Sequence, residues 1–151
     1  MFKKIHLLFF IFAIGSINCI SQTSEIEFIK FNYSNSIAFP SAVEIKIYRT
    51  EKAAMVEITS PNRNAKTAIS REKYEELCEK ILKIVPSEIL KEIRICLDGG
   101  SSKITFSNSL NHVEYAVDCL LEEDESTVYK DFFNSVKLIL EVAKLKFTDL
   151  R

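Results

Sequence analysis

The sequence predicts an α+β fold, and three observations predict it. Residues 43–48 alternate strictly, with Val43, Ile45 and Ile47 on one side and Glu44, Lys46 and Tyr48 on the other. That is the period of a half-buried strand. Residues 70–85 and 126–147 carry apolar stripes at helical spacing. The stretch IRICLDGGSSKITF and the residues that follow, to 120, read as a three-stranded meander around a Gly-Gly turn. The expected order is β-β-β-α-β-β-β-α, antiparallel sheet or sheets with both helices packed on the apolar sheet face.

The chain opens with MFKKIHLLFFIFAIGSINCISQ. Lys3 and Lys4 precede an apolar run, and small and polar residues follow it, which is the tripartite pattern of an export signal. The run falls short of the ~20 apolar residues a transmembrane helix needs. The expected division is a signal at 1–21, cut after Ser21, and a single domain at 22–151. The alternative is lipidation of Cys19, which would anchor the protein to a membrane. Ser16-Ile17-Asn18 fits that poorly, because Asn18 stands where a small residue belongs. Either way no transmembrane segment is expected after cleavage, and the location is secreted or periplasmic.

Loss of Lys3 and Lys4 takes the basic count from 20 to 18 against 21 acidic residues, a net charge of −3. This excludes a nucleic-acid partner and gives no attraction to anionic lipid. With 11 Phe and 5 Tyr, the chain is rich enough in aromatics to build a core without a metal.

The first strand is read at 25–31, followed by a loop at 32–41. A turn at Thr50-Glu51 then pairs Ile47 with Ala54, Ile45 with Val56 and Val43 with Ile58, keeping all apolar residues on one face. Residues 60–64 read as a loop. Ser70 is the expected N-cap of a helix whose stripe is Tyr74, Leu77, Cys78, Ile81 and Val85, ending before Pro86. A short helical turn is expected at 87–91. A Gly99-Gly100 turn pairs Ile95 with Ile104 and Ile93 with Phe106. A second loop, 108–111, sets Phe106 against Val113 and Ile104 against Tyr115. Arg94, Thr105 and Glu114 then share the polar face. The run Glu122-Glu123-Asp124-Glu125 precedes a helix capped at Ser126. Carboxylates favour a helix N-terminus, and the run lacks the ligand spacing of a calcium loop.

Three cysteines remain after export. The meander places Cys96 on the face opposite Cys119, so those two are not expected to bridge. Cys78 points coreward from the first helix. The candidate disulfide is Cys78–Cys119, and Cys96 is the candidate free thiol.

No catalytic, cofactor-binding or metal-ligating residues are assigned. Once the signal is removed, the one histidine is His112, read as a surface residue. The sequence has no His pair, no CxxC, no Gly-x-Ser-x-Gly elbow and no phosphate-cradling glycine loop. In the last helix Tyr129, Phe132, Phe133, Val136, Ile139, Leu140, Ala143 and Phe147 form the core stripe. Leu138, Val142 and Leu145 fall toward the back. They are the candidate interaction face, for a protein partner or homodimer; the competing reading is that the N-terminal strand or the 32–41 loop covers them.

The run CLDGGSSKITF, with a Tyr-bearing strand and a Leu-rich final helix after it, resembles small exported bacterial α+β proteins. The likeness spans residues 93–145. This chain departs from them in lacking a Trp after the Asp-Gly turn. The resemblance implies an inhibitor or immunity-like role, and no site residue is carried over from it. The expected function is therefore an exported, non-enzymatic binding module. The alternatives are a small carboxylate-dependent hydrolase and an envelope structural component.

Overall fold

A computed structural model describes residues 27–35, 43–92, 94, 96, 99–108 and 110–150. The expected export signal, Cys19 and the expected cleavage position lie outside the described residues.

Six antiparallel strands form one sheet in the order β4-β3-β2-β1-β5-β6. They are β1 (Phe28–Asn35), β2 (Val43–Arg49), β3 (Ala54–Ser60), β4 (Arg63–Ile69), β5 (Gly100–Ser107) and β6 (His112–Asp118). Between β4 and β5 lie α1 (Arg71–Leu82) and the short α2 (Pro86–Ile89). After β6 come a 3-10 turn (Glu122–Ser126), α3 (Lys130–Val142) and a second 3-10 turn (Phe147–Leu150). The class is α+β, as the alternation and the helical stripes predict. Among the described residues no helix is long and apolar enough to cross a membrane.

Register puts one apolar row after another on the same sheet face. Phe31 lies between Ile45 and Ile104, and Ile29 lies between Ile47 and Phe106. All six of these side chains are buried. The stripes of the helices supply the other half of the core: Tyr74, Leu77 and Ile81 from α1, and Phe132, Val136, Ile139 and Leu140 from α3. Ser70 caps α1 as predicted, accepting from the Lys73 N–H at 3.2 Å. The opposite sheet face is polar and saturated with ion pairs. Glu44 takes both Lys30 and Lys46, Glu57 takes Lys66, and Glu114 takes Lys103. These exposed pairs contribute little stability each, but they let the face meet water without a covering layer.

Beyond β1, which runs on to Asn35 through the start of the expected 32–41 loop, the element assignments need four corrections. The loop expected at 60–64 shrinks to a tight turn closed by Ser60 and Arg63, and residues 63–69, RNAKTAI, form the unexpected strand β4 paired along β3. The β2–β3 hairpin slips by two residues, with Ile47 opposite Val56 and Ile45 opposite Ile58. The loop is closed by Thr50, whose hydroxyl donates to the Ala53 carbonyl at 2.7 Å and accepts its N–H at 3.2 Å. A slip of two preserves every side chain's face, so the core is unchanged. The third correction concerns the predicted strand before Gly99-Gly100. Arg94 and Cys96 are in no strand, and the other residues of that candidate lie outside the described ones. β1 occupies the place beside β5 that this strand was expected to fill. The β5–β6 pairing itself stands as predicted, with Phe106 opposite Val113 and Ile104 opposite Tyr115. Lastly, α1 stops at Leu82, so Val85 leaves the stripe and is 46% exposed.

Gly99 and Gly100 are glycines for packing reasons. Neither has a positive φ. A Cβ on Gly100 would lie 2.3 Å from the Tyr33 ring, and one on Gly99 would lie 1.9 Å from Cys119 Sγ.

α3 ends in a Schellman motif without glycine. The Leu145 N–H donates to the Leu140 carbonyl at 2.9 Å and the Lys144 N–H to Glu141 at 3.0 Å. Lys144 sits at φ 54°, a left-handed conformation that disfavours a residue with a Cβ. Lys144→Gly is therefore expected to raise stability by about 1 kcal/mol, read as a higher urea midpoint at unchanged m-value.

Candidate functional site

Among the described residues after α1, Glu92, Arg94 and Cys96 are tied to side chains and backbone groups far along the sequence. Asp124 is the inward-turning member of the acidic run, 1% exposed, while Glu122, Glu123 and Glu125 face solvent. Its carboxylate receives Arg94 through two bonds, Nη1 at 2.8 Å and Nη2 at 2.7 Å. It also accepts the Leu121 N–H at 2.8 Å and the Thr127 hydroxyl at 3.1 Å. Burial alone would raise the Asp124 pKa. The Arg94 fork, the Leu121 amide and Thr127 outweigh it and hold the carboxyl below its ordinary range. The Arg94 guanidinium also donates to the Cys119 carbonyl at 2.8 Å and stacks 4.8 Å from the Tyr129 ring centroid. The Tyr129 hydroxyl donates to the Glu92 carbonyl. Arg94 therefore joins this clamp, and of the three residues expected together on the polar sheet face, Thr105 and Glu114 meet there, at 3.3 Å. Ser126 does not cap α3. Its hydroxyl donates back to Glu123 inside the 3-10 turn, and α3 starts at Lys130.

The disulfide beside this clamp is Cys96–Cys119, with Cα atoms 5.8 Å apart. This overturns both cysteine assignments: Cys78 is the free thiol and Cys96 is bonded. The predicted pairing rested on a strand at Cys96 that would have faced it away from Cys119. Cys96 is instead in no strand and comes within bonding reach of Cys119, which follows β6 with φ 50°. Gly99 leaves room for the two sulfurs. Cys78 is half-buried in α1, and burial pushes its thiol up to about 11, which keeps it protonated and unreactive.

The predicted interaction face is also overturned. Leu138 and Val142 are 7% and 6% exposed and belong to the core. α1 packs beside α3, with Lys73 Nζ 3.0 Å from Glu141, and the 3-10 turn flanks α3 as well. α3 is thus enclosed on more than its sheet side, and a broad apolar stripe follows from that. Leu145 is half-buried in a cleft of about 460 Å³ with Phe133, Leu140 and Phe147, its rim crossed by the Lys137–Glu125 pair at 3.4 Å.

The exposed apolar side chains lie elsewhere. Leu82, Val85 and Leu90 are 58%, 46% and 76% exposed. They flank α2, within nine residues of chain, immediately before the clamped segment. Leu110 and Leu121 are exposed singly. Sequence reasoning missed this projection because it continued α1 to residue 85 and placed Val85 in its apolar stripe. Pro86 bounds the helix without saying how far before it α1 ends; Lys83 caps α1, its N–H donating to the Lys80 and Ile81 carbonyls.

His112 is exposed at the start of β6. Among the described residues no group of three or more His, Cys, Asp or Glu is placed to hold a metal. No protein-family model matches the chain, and no curated protein matches it.

Proposed function

We propose that the protein is an exported, non-enzymatic binding module of the inhibitor or immunity type, which seats the apolar projection at Leu82, Val85 and Leu90 in a cleft of a protein partner. The observation that carries this reading is the pairing of exposed apolar side chains with a fixed backbone. Three large hydrophobic residues stand in solvent on one short stretch, and that stretch leads directly into a disulfide, a forked Arg94–Asp124 pair and the Tyr129–Glu92 bond. A loop ordered before it binds loses little entropy on association, so its buried apolar area goes into affinity. The charges around it, Lys80, Lys83 and Lys91 against Glu79, Glu88 and Glu92, balance. That favours a protein cleft over an anionic lipid surface. A disulfide suits an oxidising compartment, in line with export.

The hydrolase alternative is less well supported. A general acid needs a raised pKa. Each described carboxylate with a displaced pKa (Glu44, Glu57, Glu72, Glu114, Asp124) is displaced downward.

The test uses the exported chain as bait on a native envelope extract, beside Leu90→Glu. The expected result is one identified partner at one-to-one stoichiometry, lost with Leu90→Glu while circular dichroism and the disulfide are unchanged. A partner retained equally by Leu90→Glu would overturn the assignment of this surface.

A further inference from the structure

The sheet has two edges, β4 and β6, and they differ in how they meet a second strand. β4 carries Arg63 and Lys66 and no acid. Lysine on an edge is a common protection against strand pairing, and any pairing of β4 with itself brings only cations together. β6, HVEYAVD, has no Lys or Arg.

The backbone of β6 sets which groups are free. Cys119 N–H donates to Gly100 O at 2.8 Å, one step beyond the Asp118–Ser101 pair. Antiparallel ladders alternate, so the odd residues of β6 bond to β5 and His112, Glu114, Ala116 and Asp118 turn their N–H and C=O outward. All four are exposed.

Two copies of β6 pairing antiparallel must match outward residues with outward residues, which allows few registers. Centred on Glu114, the pairing sets that carboxylate against its own copy. Centred on Ala116, it sets Glu114 against Asp118. Centred on Tyr115, it sets His112 against Asp118, Glu114 against Ala116, Val113 against Val117 and Tyr115 against itself. Every pair is then compatible. An imidazole meets a carboxylate, apolar meets apolar, and Glu114 is already neutralised by Lys103 at 3.0 Å. Tyr115 and Val113 are half-buried on the core-facing side. Tyr115 already lies 5.8 Å from Phe106, so the rings would continue as one row across the axis. Tyr115 falls at a position without cross-strand hydrogen bonds, where facing side chains approach most closely.

We infer that β6 is a self-association edge: two copies pair through β6 about a twofold axis at Tyr115 and join their six-stranded sheets into one continuous sheet. This is independent of the apolar residues Leu82, Val85 and Leu90 that flank α2, which lie on other elements.

The experiment measures sedimentation of the exported chain over a range of concentration, with variants that separate register from folding. Wild type is expected to dimerise. Ala116→Pro removes an outward N–H that the monomer does not use, so it is expected to fold and remain monomeric. His112→Asp sets two carboxylates together and should also dissociate the pair, and adding Asp118→Lys should restore it. In a Cys78→Ser background, Tyr115→Cys should form a disulfide-linked dimer while Val113→Cys alone should not. A wild-type chain that stays monomeric throughout overturns the inference. So does a dimer that survives His112→Asp, or a Val113→Cys chain that cross-links as readily as Tyr115→Cys.

Discussion

Asp124→Ala is expected to lower stability by about 3 kcal/mol, among the largest losses of any single substitution in this domain. The carboxylate is 1% exposed, whereas the Arg94 side chain is 22% exposed. Removing the acid therefore leaves a partly buried guanidinium over Tyr129 held by the Cys119 carbonyl, takes the acceptor from the Leu121 N–H, and leaves the Thr127 hydroxyl only the Asp124 backbone carbonyl at 3.3 Å. Arg94→Lys is not a mild change here, because a single ammonium cannot make the two parallel bonds of the fork. Urea unfolding followed by circular dichroism measures both. The pH dependence has a definite sign. The Asp124 pKa is depressed in the folded state, so its stabilisation is fully present above the ordinary carboxylate range near ~4 and is lost as pH falls through the depressed value. Wild type should lose stability on acidification through that window, and Asp124→Asn should show a shallower loss. The loss does not vanish, since Glu44, Glu57 and Glu114 are depressed by their lysines in the same direction.

The parts of this fold that were legible in the sequence are those fixed by local pattern. Val43, Ile45 and Ile47 alternate because their strand has water on one side and core on the other, and Ser70 caps α1 through its own side chain. β5 and β6 pair as expected because a four-residue loop leaves little freedom of register. The failures come where a long-range choice overrides a local one. Residues 93–97 have strand-like alternation, yet β1, some 70 residues earlier in the chain, takes the place beside β5. That single substitution of neighbours reverses the cysteine pairing and moves Arg94 from the sheet face to Asp124. β4 was hidden by its composition: RNAKTAI is an edge strand with small and charged residues and little alternation to read. Leu138 and Val142 were read as a free surface because helical spacing shows how much of a helix is apolar but not how many neighbours enclose it. The projection at Leu82, Val85 and Leu90 depends on where α1 stops, and helix ends are set by a few capping contacts rather than by periodicity.

Breaking the Cys96–Cys119 bond is expected to cost a further ~3 kcal/mol, the loop-closure entropy of a cross-link 23 residues apart. Cys96→Ala with Cys119→Ala should therefore lower the urea midpoint by an amount similar to Asp124→Ala, and Cys78→Ser should not affect the bond. Peptide mapping without reduction checks the pairing directly, as one linked pair containing residues 96 and 119. Gly99 gives a sharper test of the packing. An alanine there would place its Cβ 1.9 Å from Cys119 Sγ and 2.2 Å from Cys96 Sγ, so the bond and the side chain cannot keep these positions together. Gly99→Ala should slow oxidative refolding and cost most of what the double alanine variant costs. Combined with Cys96→Ala and Cys119→Ala, it should cost far less than it does alone, because the sulfurs it displaces are gone. Additive losses would mean that Gly99 is needed for some other reason. Non-additivity would tie the Gly99 position to the disulfide, and through it to the clamped segment that carries Arg94.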